Sequence, residues 1–222
     1  MRQYRHYTLV EIMVVMALAA LLAAMALPAF GALMHGNSVA VTCGYVKNAL
    51  DQAQARAVTD RKYVATVMDL TGAVSGLPST QAVRNCYVTS GYAFEKWVDG
   101  SDWIKLDQDA QMLVFSLGES GAAPSFPTNG QTPSTDALQP VSGVRGAATA
   151  NLPGVVFSMY GSVKAPGGNF YIGVGEATLA NNVYIYKNTT SGGAAGNVMA
   201  LTVNHFTGRS QIAGIGSDGK IE

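Results

Sequence analysis

The sequence predicts an α+β fold in which a long N-terminal hydrophobic α-helix packs against a mainly antiparallel β-sheet globular head. Three observations carry that expectation. No side chain between Ile12 and Met34 is charged. Between Ser38 and Arg61 apolar or small residues recur at Val39, Cys43, Val46, Leu50, Ala53 and Ala57, alternately four and three apart, which builds one packing face on a helix. From Tyr63 onward, short β-branched and aromatic runs alternate with Gly-, Ser-, Asn- and Pro-rich connections.

The first helix is expected over residues 7–34. The 23 uncharged residues of Ile12 to Met34, at about 1.5 Å each, give roughly 35 Å, enough to cross a hydrocarbon core of about 30 Å. Arg2 and Arg5 precede this run and no cation follows until Lys47, which predicts a single-pass inner-membrane protein with a cytoplasmic N-terminus and a periplasmic or extracellular head. A cleavable signal peptide ending at Ala24-Met25-Ala26 is the alternative, but such apolar regions are only about 7–15 residues long and lack an acid. Glu11 stands at the mouth of the run, where a carboxylate needs a cationic partner or the headgroup region. Pro28 removes one backbone hydrogen bond and predicts a bend.

Residues 35–62 read as an amphipathic continuation. Gly31, Gly36 and Asn37 loosen the chain, and Ser38 caps the helix if it restarts there. Lys47, Asp51, Gln54, Arg56 and Arg61 fill the other face and read as solvated. Residues 63–222 read as the β-rich head. Strands are expected at Tyr63–Leu70, Arg84–Thr89, Met112–Ser116, Val155–Tyr160, Asn169–Val174, Asn182–Lys187, Val198–Phe206 and Ser210–Ala213, with a long loop over about 118–150.

Composition and spacing argue against several function classes. Lys and Arg number 14, as do Asp and Glu, so no global field draws the chain to nucleic acid. Gly118-Glu119-Ser120-Gly121-Ala122 lacks the helix that a nucleophile elbow requires directly after its serine. His6, His35 and His205 fall in the expected leader, at the expected membrane boundary and in a late strand, and so define no relay or metal cluster in the sequence. Asp99-Gly100-Ser101-Asp102 reads as a turn, because a calcium loop needs further acidic ligands. Trp97 and Trp103 read as core and interface material. Neither catalysis, a metal nor a cofactor is expected. Cys43 and Cys86, the only cysteines, are read as an exported pair that forms either a disulfide or two buried thiols.

Thr8-Leu9-Val10-Glu11 before a long apolar helix resembles the N-terminus of type IV pilins and pseudopilins. Counted from Tyr7, Glu11 is fifth and Pro28 twenty-second, matching that family's glutamate and proline. The resemblance implies a type IV pilin-like fold and a leader of residues 1–6 removed by prepilin peptidase between His6 and Tyr7. It also implies N-methylation of the freed Tyr7 amine, which Glu11 of a neighbouring subunit would meet in a filament core. The residue before the cut is normally glycine, where this chain has His6. Ala53–Arg61 feeding Tyr63–Val67, Phe157–Val163 and Val203–Arg209 resemble the FimT or GspH branch of minor pilins and pseudopilins. This likeness implies an initiating or tip subunit of a type IV pilus or type II secretion pseudopilus. The implied partners are other subunits, the inner-membrane assembly platform and membrane lipid. Some relatives of that branch contact DNA through a closing Gly-Arg-x-Arg segment. Gly208-Arg209-Ser210-Gln211 keeps only Arg209, so nucleic-acid binding is expected to be absent or weak, and DNA capture and a non-polymerising anchored protein are the alternative functions.

Overall fold

In the computed structural model, placement is described for residues 9–70, 74, 81–106, 111–115, 138–145, 151–164, 170–180, 183–187 and 197–213; the side chains of 25–37, 111–115, 170, 179–180 and 184 fall outside that description. One helix, α1 (Leu9–Asp60), precedes thirteen strands among the described residues. These are β1 (Tyr63–Asp69), β2 (Ala82–Val88), β3 (Phe94–Trp97), β4 (Ile104–Lys105), β5 (Gln111–Phe115), β6 (Gln139–Ser142) and β7 (Asn151–Phe157). They continue as β8 (Val163–Lys164), β9 (Phe170–Gly175), β10 (Ala177–Ala180), β11 (Val183–Tyr186), β12 (Val198–Val203) and β13 (Ser210–Ala213). The chain divides into two compact units, Met1–Asn37 and Ser38–Glu222.

The expected fold class and localisation are corrected. The helical residues with described side chains form two short stretches, 9–24 and 38–60, beside a sheet-rich body, in place of one long apolar helix of the type IV pilin-like kind. Residues 38–60 carry Lys47, Asp51, Arg56 and Asp60 and bury one face only. No helix among the described residues is long and apolar enough to cross a membrane, so the single-pass inner-membrane assignment falls. Ser38 lies within α1, so it is not the cap of a restarted helix.

In the second unit the four-and-three spacing becomes the core. Val39, Cys43, Val46, Leu50, Ala53 and Ala57 are all buried, joined by Ala49. They pack with Val64, Met68, Val83, Tyr87, Val155, Phe157, Ile172 and Leu201 in one cluster. The main sheet runs β3-β2-β1-β7-β6, with β4 also pairing β2 and β8 pairing β7. β1 lies at its centre, paired antiparallel from Tyr63↔Val88 to Asp69↔Ala82 on one side and from Val64↔Phe157 to Val67↔Gly154 on the other. Because successive strand side chains point to opposite faces, Val64 and Met68 join the helix-side core while Ala65 and Val67 join a second cluster with Cys86, Val88, Val141, Leu152 and Val156. β1 is therefore buried on both faces, and its sequence reads as one apolar run. A second sheet runs β13-β12-β9-β5, and β10 and β11 form a separate hairpin.

The helix ends by a local device. Arg61 adopts a left-handed φ of 51°, and the Lys62 N–H reaches back to the Ala57 carbonyl at 3.2 Å. This 6→1 bond is the Schellman closure, with arginine where glycine is usual. Val155–Tyr160 was expected as a strand; β7 instead starts at Asn151 and ends at Phe157, carrying Pro153 and Gly154 inside it. β6 lies within the expected 118–150 loop. Its Pro140 is tolerated because β6 closes the edge of the sheet.

Candidate functional site

The N-terminal unit presents the most unusual surface. Across 9–24 every side chain is exposed, and Leu9, Val10, Ile12, Met13, Val14, Val15, Met16, Leu18, Leu21 and Leu22 are each more than half exposed, from 53% at Ile12 to 75% at Leu9. Apolar side chains lie on every side of this helical stretch, and Glu11 is its sole charged residue. A helix hydrophobic all round is normally enclosed in a larger body, and a contiguous exposed apolar surface marks an interaction site. His6 and Tyr7, the expected cleavage junction and methylation site, lie outside the described residues, as does the side chain of Pro28.

In the second unit, the face of α1 expected to be solvated holds two turns in place. Gln54 donates its side-chain amide to the carbonyl of Gly161, at 3.4 Å, and to that of Thr207. Gly161 closes the β7–β8 turn, where its N–H reaches the Ser158 carbonyl at 2.9 Å with φ 83°. Thr207 belongs to the β12–β13 turn, organised by Asn204, whose side-chain oxygen accepts the N–H groups of Phe206 at 3.0 Å and Thr207 at 2.9 Å. Asp51 accepts a bond from the Ser210 hydroxyl and pairs with Lys47. The Val163 N–H also reaches the His205 carbonyl at 2.9 Å, tying the two turns to each other. Periodicity identified the apolar face of the helix but carries no signal for distant carbonyl partners, so Gln54 and Asp51 were missed.

The possible Cys43–Cys86 disulfide is corrected: both are buried free thiols. β2 turns Val83, Asn85 and Tyr87 toward α1, while Cys86 points into the second core on the opposite face. Cys43 belongs to the helix-side core. Burial pushes the Cys43 thiol up to about 11, and it pushes Cys86 up to about 12 against the opposing pull of Arg84.

Asp99-Gly100-Ser101-Asp102 is a turn, with Gly100 at φ 77°. Asp99 faces Lys96 at 3.7 Å, and Asp102 accepts the Trp103 N–H at 2.7 Å. Trp97 stacks edge-on with Phe94 at 4.9 Å and with Trp103 at 5.5 Å, and the Arg84 guanidinium lies 4.2 Å from the Trp97 ring centroid. These aromatics pack against the second core. The Gly118–Ala122 segment lies outside the described residues. Among the described residues no three His, Cys, Asp or Glu side chains cluster closely enough to hold a metal ion.

Arg209 is exposed beside a groove of ≈ 230 Å³ lined by Thr202, Asn204, Thr207 and Gln211, and it supplies the only cationic side chain of that lining. Arg209 and Glu11 belong to different compact units. Neither protein-family models, nor curated proteins, nor solved structures give a match to this chain.

Proposed function

We propose that this chain is a structural subunit of a filament of the type IV pilus or type II secretion pseudopilus kind, an initiating or tip component that joins neighbouring subunits through its N-terminal helix. One observation carries the reading. Ten large apolar side chains of 9–24 are each more than half exposed around a helical stretch with a single acid. A surface of that kind is stabilised by burial against other chains, at about 25 cal/mol per Å² of apolar area removed from water. The resemblance of Thr8–Glu11 and Pro28 to pilin N-termini supplies the partner class, other subunits of the same type. In that reading Glu11, the one acid of the stretch, sets register, because a carboxylate buried between apolar helices is favourable only opposite a cation.

The test is incorporation. Glu11→Val and Leu18→Asp are each expected to leave the protease resistance of the 38–222 body unchanged while recovery in sheared filaments from the native cells falls severalfold. Wild-type recovery of both variants would overturn the proposal.

A further inference from the structure

Two aromatic side chains of the second unit stand almost wholly in solvent, Tyr160 at 85% exposure and Phe206 at 81%. A single exposed apolar residue is ordinary on a protein surface, but these two are presented together. Tyr160 lies in the β7–β8 turn and Phe206 in the β12–β13 turn, and the backbones of the two turns meet at Gly161 and Gly208. Gln54 of α1 bonds to both turns, and Val58, 49% exposed and one helical turn further along, lies beside Gly161. Phe206 is set edge-on against His205 at 5.2 Å, and its N–H is held by Asn204 at 3.0 Å. The two rings are thus carried on one braced, protruding apex.

Charge around this apex has one sign. Each turn carries an exposed cation shortly after its aromatic, Lys164 after Tyr160 and Arg209 after Phe206. Residues 137–217 hold four cations, Arg145, Lys164, Lys187 and Arg209, against one acid, the buried Glu176, although the whole chain is neutral. On the adjoining part of α1, Asp51 is engaged by Lys47 and Ser210, and Asp60 accepts the Tyr87 hydroxyl.

A convex apex of this composition fits a surface that deforms around it. Aromatic rings settle at the boundary between lipid headgroups and acyl chains, and neighbouring cations gain from anionic headgroups. Nucleic acid uses similar elements, but its affinity grows with the number of phosphates neutralised, and the two turns supply only Lys164 and Arg209. We propose that the Tyr160–Phe206 apex inserts into the headgroup region of an anionic lipid bilayer, with Lys164 and Arg209 facing the lipid anions. This is a peripheral contact made by turns, and it involves no residue of 9–24, so it stands apart from the assembly role.

The experiment places an environment-sensitive fluorophore on Tyr160→Cys in the full-length chain, where the native thiols Cys43 and Cys86 are buried. The same label on Asp102→Cys, an exposed position between β3 and β4, is the control. Phosphatidylcholine vesicles containing phosphatidylserine should raise the emission at 160, acyl-chain-brominated lipid should quench it, and the label at 102 should not respond. Phe206→Ser should raise the lipid concentration at half-response about tenfold, and Lys164→Gln and Arg209→Gln about fivefold each. Leu18→Asp should leave the response at 160 unchanged. All these positions are exposed, and matching urea midpoints show that each variant is folded. No quenching at 160, equal quenching at 102, loss of the response with Leu18→Asp, or indifference to Phe206→Ser would overturn the proposal. An equal response to vesicles lacking phosphatidylserine would overturn the anionic occupant, and tighter binding of an oligonucleotide than of lipid would overturn it in favour of nucleic acid.

Discussion

The backbone at Gly208 lies so close to that of Gly161 that a Cβ on Gly208 would stand 2.0 Å from the Gly161 carbonyl oxygen and 2.9 Å from the Gln54 amide nitrogen. Two hairpin turns more than 40 residues apart in sequence thus meet backbone to backbone over one side chain of α1.

Gly208→Ala is therefore expected to be the most damaging single-methyl change in the second unit. The left-handed φ of 66° adds conformational strain to the clash, and together they should cost about 3 kcal/mol or more. Gly161→Ala should cost less, because its Cβ would meet the movable Val58 methyl at 3.2 Å. Urea unfolding of both variants checks the order; equal stability of Gly208→Ala and wild type would refute the close approach.

Gln54→Ala removes the donor to two carbonyls of the turns. Each lost bond is worth about 0.5–1.5 kcal/mol, so a loss of about 1–2 kcal/mol is expected, with faster amide exchange at Gly161 and Gly208. Gln54→Glu should be worse than Ala, since a carboxylate facing two carbonyl oxygens repels both.

Arg61 occupies the left-handed position after α1 at φ 51°. Arg61→Gly is expected to stabilise the second unit by about 0.5–1 kcal/mol, since glycine adopts this conformation without the Cβ penalty. A lower midpoint in urea would show that the arginine side chain contributes more than its backbone costs.

The thiols give a pH prediction. Cys43 and Cys86 ionise near 9.0 when exposed but are raised to about 11 and about 12 in the fold. Below that range both states hold the protons and stability does not respond. From about 9.0 up to about 11 for Cys43 and about 12 for Cys86 the unfolded chain loses protons that the folded chain keeps, so stability falls with rising pH until the buried thiols ionise as well. The decline should reach about 1.4 kcal/mol per pH unit for each fully titrating thiol, with Tyr87 and Tyr186, also raised, adding to it at the alkaline end. Cys43→Ala combined with Cys86→Ala should flatten the profile between pH 9 and 10. In unreduced protein both thiols should label only after unfolding; failure to label in denaturant would restore the disulfide.

DNA binding provides the last check. With Arg209 the one cation of its groove, the full chain should bind duplex DNA weakly, with a shallow log–log salt slope of about −0.9, and Arg209→Gln should abolish what remains. Submicromolar affinity at physiological salt would contradict this.

Periodic and local features were legible in the chain. The four-and-three spacing of Val39 to Ala57 named the buried face of α1 residue by residue, because helix geometry maps spacing directly onto direction. The runs beginning at Tyr63, Val198 and Ser210 became β1, β12 and β13, since β-branched and aromatic residues bounded by turn formers have few other options. The two-residue strands β4 and β8 are too short to show a period. Only the tertiary structure decided what depends on pairing. The alternation of β2 around Asn85 sent Cys86 to the face opposite Cys43, and no spacing in the chain encodes which side of β2 faces the helix. The partners of Gln54 lie 107 and 153 residues away, so a position that reads as a solvated polar face in one dimension is the joint between two sheets in three. The apolar run at the N-terminus was plain in composition, yet no helix among the described residues is long and apolar enough to cross a membrane.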